Sequence, residues 1–231
     1  MKLSIIIPAY NEAGTIEEVL ASIAAVDFPL DHEIIIVDDA SSDRTAEILA
    51  RLAGSRPPTR LLRNAQNSGK GASVVRGLAE ALGDIVIVQD ADLELDPQDI
   101  PNLVRPIVEG KAEAVYGSRF LERRWPRKMA FQNWAANKVL NLAANILYRT
   151  HLTDVSCGYK AVKTGLLKSL SLRCRRFEFC FEVTAKLTRR GVRILERPIS
   201  FEARTRKEGK KIRHADFFKA LWTLVKFRFA R

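Results

Sequence analysis

The sequence predicts an α/β fold, a mostly parallel central sheet flanked by helices, followed by a C-terminal amphipathic helical extension. Three observations predict it. Short apolar runs at 3–7, 33–37, 60–62, 85–88 and 112–116 alternate with segments of helix length at 13–25, 43–53, 70–82 and 97–109. The runs are nearly continuous in Ile and Val, as in Ile34-Ile35-Ile36-Val37, which suits parallel strands covered on both faces. Helix-start residues fall between them: Ser42 or Asp43 can cap the second helix, and Pro97 suits the first turn of the fourth.

After about residue 119 the rhythm changes to long helical segments at 128–148 and 178–190, then a strand pair within 192–204 broken at Pro198. A chain of 231 residues with 47% hydrophobic residues can bury a substantial core. No Gly/Ser-rich or Pro-rich linker interrupts it, so one domain is expected over 1–212, with a division near 118 and 119 and a terminal helix at 213–231.

Charge is divided along the chain. Residues 1–118 carry 10 Lys and Arg against 19 Asp and Glu, whereas residues 119–231 carry 28 against 8. The basic half implies an anionic partner: nucleic acid, an anionic membrane surface or a phosphorylated substrate. Nucleic acid is not expected, because the basic residues come without a recognised reading motif and the acidic half would be unexplained. Cys157, Cys174 and Cys180 are odd in number and form no CxxC pair, which fits reduced thiols in a cytoplasmic setting. The first residues lack the order of a signal peptide, and no apolar run approaches the ~18 residues of a membrane span.

The chemistry-bearing residues cluster where the strands end. Ligands of open α/β sheets bind outside the strand C-termini, and Pro8, Asp38, Asp39, Asp90 and Asp92 all fall there. Asp90 and Asp92, separated by Ala91, share one face of an extended segment and can address one divalent cation. Tyr10 can flank a nucleobase, and Asp39 can accept from base or ribose donors, although taken singly the first loop reads as a turn and the second as a helix cap. Asn67-Ser68-Gly69-Lys70-Gly71 lacks the GxxxxGK[ST] spacing of a phosphate loop and reads as a turn opening the third helix.

Taken together, Pro8 to Glu12, Asp38-Asp39, Asp90-Ala91-Asp92, Asn67 to Gly71, Gly117-Ser118-Arg119, Asp154 to Lys160 and Arg204 with Glu208-Gly209-Lys210 resemble the family 2 glycosyltransferases of the GT-A (nucleotide-diphospho-sugar transferase) fold. Within that family the chain looks most like the polyprenyl or dolichyl phosphate mannose and glucose synthases. The resemblance implies a nucleotide-sugar half at 1–118 and an acceptor half at 119–212. It implies a nucleotide pocket from Pro8, Tyr10, Glu12, Val37 and Asp39, with Asp90, Ala91, Arg119, Arg204 and Lys210 also meeting the donor or the acceptor phosphate. Asp90, Asp92 and Glu94 would engage Mg²⁺ or Mn²⁺, and Glu94 stands where the mannose synthases commonly have glutamine. The implied partners are a nucleoside-diphosphate sugar (GDP-mannose or UDP-glucose) and a lipid-linked phosphate acceptor, with a soluble or protein acceptor as the alternative.

Asp92 and Asp154 are the catalytic candidates. An alcohol acceptor needs a carboxylate to take its proton, and Asp154 is a candidate base; a phosphate acceptor barely needs one, and a loop-fixing role is the alternative. Glu182, among Phe177, Phe179 and Phe181, either faces the site or makes a buried structural hydrogen bond. Two basic amphipathic segments, 121–150 and 213–229, suit either an interfacial helix or a helix docked on the core. The expected location is therefore cytoplasmic, peripheral to the cytoplasmic face of the membrane.

Overall fold

The computed structural model describes residues 1–52, 59–122, 125, 126, 128–203 and 214–229. Strands β1 (Lys2–Ala9), β2 (Asp31–Asp38), β3 (Thr59–Arg63), β4 (Ile85–Val88), β5 (Ala114–Ser118), β6 (Lys160–Lys163) and β7 (Ile194–Pro198) form one sheet in the order β3-β2-β1-β4-β6-β5-β7. Only β6 runs against its neighbours, pairing antiparallel with β4 and β5. The helices are α1 (Ile16–Ala24), α2 (Thr45–Leu52), α3 (Lys70–Glu80), α4 (Ile100–Val108), α5 (Phe131–Tyr148), α6 (Thr164–Ser169), α7 (Phe179–Arg189) and α8 (His214–Phe229).

The strand alternation feeds two cores. Ile5, Ile7, Ile34 and Ile36 pack on one face with Ile16 and Val19 of α1 and Leu103 of α4. Ile6, Ile35 and Val37 point the other way, to Val74 of α3 and Phe179 of α7. Both faces are covered, which is why the strands read as unbroken apolar runs.

Two elements differ from expectation. Among the described residues the strand pair foreseen within 192–204 does not form: β7 pairs in parallel with β5, and beyond Pro198 an antiparallel bridge joins Phe201 to Leu95. Proline at the end of β7 offers no N–H to continue the ladder. The β6 strand, Lys-Ala-Val-Lys, is too short and too polar to register as an apolar run.

Helix α8 has two different faces. Ala220, Leu224 and Phe227 are buried. Tyr148 Oη of α5 donates to the Leu224 carbonyl (2.6 Å), and Arg189 Nη1 of α7 donates to that of Phe227 (2.8 Å). On the opposite side Phe218, Trp222 and Phe229 are 68%, 65% and 75% exposed. Neighbouring α5 likewise turns Val139, Leu142 and Ile146 outward while burying Leu140 and Ala144.

At the edge of the sheet away from the strand C-termini, buried Glu33 accepts from Ser4 Oγ (2.7 Å), Leu82 N (2.8 Å) and Lys2 Nζ (3.4 Å). Burial alone would raise its carboxyl, but these donors outweigh it and hold the pKa below the ordinary 4.5. A depressed acid stabilises the fold above its unfolded pKa, and that stabilisation is lost as pH falls through the folded value. Glu33→Gln is expected to cost about 2 kcal/mol at neutral pH. The gap in Tm between variant and wild type should close on acidification below 4.5, as read by thermal melts at several pH values.

Candidate active site

Strand β1 lies between β2, reached through α1, and β4, so the loops following β1 and β4 flank the switch in strand order where such sheets open a crevice. The loops after β1 and β2 lock together. Asn11 and Ala40 adopt left-handed backbone (φ 51° and 58°). Asn11 N donates to Ser41 Oγ (3.0 Å), Ser42 N to Asn11 Oδ1 (2.8 Å) and Glu12 N to Thr45 Oγ1 (2.9 Å). Of the two candidate caps, Asp43 takes the role, accepting from Thr45 N (2.9 Å) and from Ala13 N (3.2 Å) across the gap. Pro8 sits at the C-terminal part of β1 with Val37 as its neighbour in β2, and Tyr10 directly follows that strand. Val37, however, sends its side chain into the core against α3, so only its backbone is available at the sheet edge.

Asp39 is buried and already committed. It accepts from Asn64 Nδ2 (2.6 Å), Ser68 N (2.9 Å) and Gly69 N (2.7 Å), so it shapes the loop that opens α3. That loop does not cradle an anion with its glycines. A Cβ on Gly69 would lie 2.5 Å from the Arg175 carbonyl, and one on Gly71 equally close to that of Cys174. The glycines are there because another backbone passes against them, and Ala72 N donates to Arg175 O (3.0 Å) across the contact. Gly71→Ala should therefore force residues 173–176 away, costing about 1–3 kcal/mol. Urea titration reads this as a lower midpoint.

The turn places Lys70 against Asp90, and the two form an ion pair. Burial works to lower the Lys70 ammonium, but the raising influences, led by Asp90, together outweigh it and the net shift is upward. Gly158 closes the other side: a Cβ there would come within 2.6 Å of Asp90 Oδ2. Asp92 Oδ1 accepts from Glu94 N (3.1 Å), bending the loop into a turn. Beneath it, buried Gln89 donates to the Asp90 and Leu95 carbonyls (3.1 and 3.3 Å) and accepts from Tyr159 Oη (2.5 Å). Thr15 Oγ1 also donates to the Ala91 carbonyl (2.9 Å). Gln89, Tyr159 and Thr15 were not foreseen as site residues. A buried amide directly before the acidic pair was the available signal.

Among the described residues no group of three or more acidic, His or Cys side chains is gathered to hold a metal ion, so Asp90, Asp92 and Glu94 do not form a closed cage. The donor chemistry still suits one. Mg²⁺ takes one or two carboxylates plus substrate phosphate oxygens, and two aspartates at the end of β4 offer that many.

Just beyond β5 Arg119 and Asp154 form a forked pair: Nε to Oδ2 (2.6 Å), Nη2 to Oδ1 (2.7 Å), with Arg119 N also donating to Oδ2 (3.1 Å). Asp154 is 0% exposed. Both of its oxygens hold a guanidinium, and the main chain beside it is fixed by Glu196, which accepts from Thr153 N (2.8 Å) and Asp154 N (3.0 Å). Arg119 lies over the Phe201 ring (5.0 Å), Glu94 is among its electrostatic neighbours, and Glu202 N donates to Glu94 O (3.0 Å). Burial would lower the guanidinium, but Asp154 prevails and keeps it charged. Buried Lys160 donates to Val155 O (3.0 Å) over the Tyr116 ring (3.6 Å), bracing the same loop, and desolvation holds its pKa down.

Glu182 does not face the site. It accepts from Arg173 N, Cys174 N and Lys186 Nζ (2.9, 2.7 and 2.6 Å), the buried structural bond that was its alternative reading. Arg204 and Lys210 lie outside the described residues.

A mostly parallel sheet with one antiparallel strand, flanked by helices and carrying acidic loops at its C-terminal edge, is a GT-A-like α/β fold. Glucosyl-3-phosphoglycerate synthase from Mycobacterium tuberculosis, crystallised with Mn²⁺, uridine diphosphate and phosphoglyceric acid, matches it with a TM-score of 0.74 over 100% of this chain and 79% of its own, at 24% identity. The description Glycosyl transferase family 2 matches residues 4–170. The chain belongs to that family.

The chain is 32% identical over 214 residues to a dolichol-phosphate mannosyltransferase of Pyrococcus furiosus, covering 91% of this chain and 59% of that one. It is 28% identical to an undecaprenyl-phosphate mannosyltransferase of Micrococcus luteus, covering 91% and 87%. The chain spans a third of the Haloferax volcanii glycosyltransferase AglD, at 30% identity.

Proposed function

We propose that this chain transfers a hexose, mannose or glucose, from a nucleoside-diphosphate sugar to a lipid-linked phosphate, with inversion, at the cytoplasmic membrane face. The observation that carries this is a juxtaposition. The loop of the acidic pair and Arg119 are joined through one segment: Arg119 lies over the Phe201 ring (5.0 Å) and the next residue, Glu202, donates its N–H to Glu94 O (3.0 Å), which supports a leaving diphosphate and an anionic acceptor meeting at one sheet edge. Relatives named for dolichyl and undecaprenyl phosphate support the acceptor class.

The acceptor phosphate oxygen attacks the anomeric carbon as its bond to the diphosphate breaks. Asp92 and Asp90, with Glu94 beside them, would hold Mg²⁺ or Mn²⁺, which supplies neutralisation of the charge developing on the leaving group. Lys70, beside Asp90, adds a cation there. A guanidinium fixed at Nε and Nη2 by Asp154 is oriented before the acceptor arrives, at no reorganisation cost during reaction. Asp154 is assigned this positioning role in preference to that of a base, because a phosphate acceptor brings no proton that must be taken.

No described helix is long and apolar enough to cross a membrane. The outward apolar stripes of α5 and α8 support peripheral contact with a bilayer. The test is release of nucleoside diphosphate from a panel of GDP- and UDP-sugars with Mn²⁺ and polyprenyl phosphate in detergent. Release that depends on both additions is expected; no release with any donor would overturn the reading.

A further inference from the structure

Between residues 173–178 and α8 lies a cleft of about 400 Å³. Arg173, Arg175, Arg176, Lys219 and Lys226 line it, against the single carboxylate of Glu178. All five cations are exposed, and among the described residues none makes an ion pair. Five like charges gathered this way repel one another unless an anion joins them.

The cleft is built on fixed backbone. Arg173 N and Cys174 N donate to buried Glu182 (2.9 and 2.7 Å), and Arg175 O accepts from Ala72 N (3.0 Å), so the loop is anchored on two sides while its guanidinium groups stay in solvent. The Cys174 thiol is pushed up to about 12 by burial and by Glu182, so it adds no negative charge. Lys219 and Lys226 stand two turns apart on one flank of α8. Phe218, Trp222 and Phe229 occupy the adjoining flank, pointing away from the core.

Resting on the membrane-surface reading above, we propose that this cleft seats the phosphate-bearing headgroup of an anionic bilayer lipid, whose acyl phase receives the Phe218, Trp222 and Phe229 stripe. Charge and apolarity side by side select this ligand. A nucleic acid or free phosphate would satisfy the cations and leave the aromatic stripe in water; an apolar partner would do the reverse. The seat is separate from the reaction centre, whose guanidinium comes from Arg119 at the end of β5.

The test is co-sedimentation with vesicles of phosphatidylcholine alone or mixed with phosphatidylglycerol, at fixed ionic strength. The wild type should favour the anionic vesicles. Lys219→Gln with Lys226→Gln, and Arg173→Gln with Arg175→Gln, should each reduce that preference roughly tenfold, with binding to neutral vesicles unchanged. Trp222→Ser should weaken binding to both vesicle types, and millimolar inorganic phosphate should not release the wild type from anionic vesicles. An undiminished preference in both double variants, release by inorganic phosphate, or no anionic preference in the wild type would each overturn the seat. Transfer in detergent, measured in parallel, judges the transferase reading separately: a chain that prefers anionic vesicles but transfers no sugar keeps the seat and loses that reading.

Discussion

Asp92→Asn is expected to lower sugar transfer by roughly 10²- to 10³-fold, the scale of losing one preorganised electrostatic group at a developing charge. The substitution is close to isosteric, and an asparagine Oδ1 can still accept from Glu94 N, the bond that makes the turn at 3.1 Å. The loop should also survive because Gln89, Thr15 and Glu202 restrain it through its main-chain carbonyls. What disappears is one negative charge. The loss should therefore appear in nucleotide release and in a weaker dependence on Mn²⁺, while the Tm moves by no more than about 1 °C, as for a surface substitution. Asp90→Asn should behave differently, because it strips the counter-ion from half-buried Lys70 and lowers stability as well as rate. Transfer by Asp92→Asn at the wild-type rate, with unchanged Mn²⁺ dependence, would remove this aspartate from the reaction.

These expectations show which parts of the site sequence could carry. Five of the seven strands were legible because strands buried on both faces are apolar without interruption, as Ile34-Ile35-Ile36-Val37 is. Strand β6 was not, since its Lys160 is apolar only by circumstance: a buried ammonium over the Tyr116 ring occupies a core position under a polar letter. The direction of β7 was hidden for a different reason. Alternation fixes which face a residue takes, but not which strand it pairs with, so a run beside Pro198 reads as half of a hairpin when its partner is β5, far back in the chain. The site followed the same division. Residues whose chemistry is rare on a strand end, such as Asp90 and Asp92, stood out; residues that act by holding others, such as Gln89, Thr15 and Tyr159, had no pattern of their own. Gly69 and Gly71 read as a turn opening the third helix, and the structure adds the reason for the glycines: the backbone of residues 173–176 passes against them.

Asp154→Asn is expected to be the more damaging change for stability and comparable to Asp92→Asn for rate. Asp154 is buried, and its two oxygens are the forked partners of Arg119 at 2.6 and 2.7 Å. An asparagine presents one acceptor and one donor to a guanidinium that offers only donors, so one arm of the fork faces an N–H and the charge is left uncompensated. Breaking a buried pair from one side costs about 3–5 kcal/mol, which for a domain of this size lowers the Tm by roughly 10 °C. The rate should fall because Arg119 loses its orientation. The distinction from general-base catalysis lies in three measurements. A positioning carboxylate gives a variant whose residual rate has the wild-type pH profile, whereas loss of a base removes the limb that the base produces. Arg119→Lys should fall as far as Asp154→Asn, since an ammonium cannot make the two parallel bonds. The double variant should be scarcely worse than either single one, because both remove the same fork. Additive losses, together with a vanished pH limb in Asp154→Asn alone, would give Asp154 the proton-taking role and leave Arg119 to act without it.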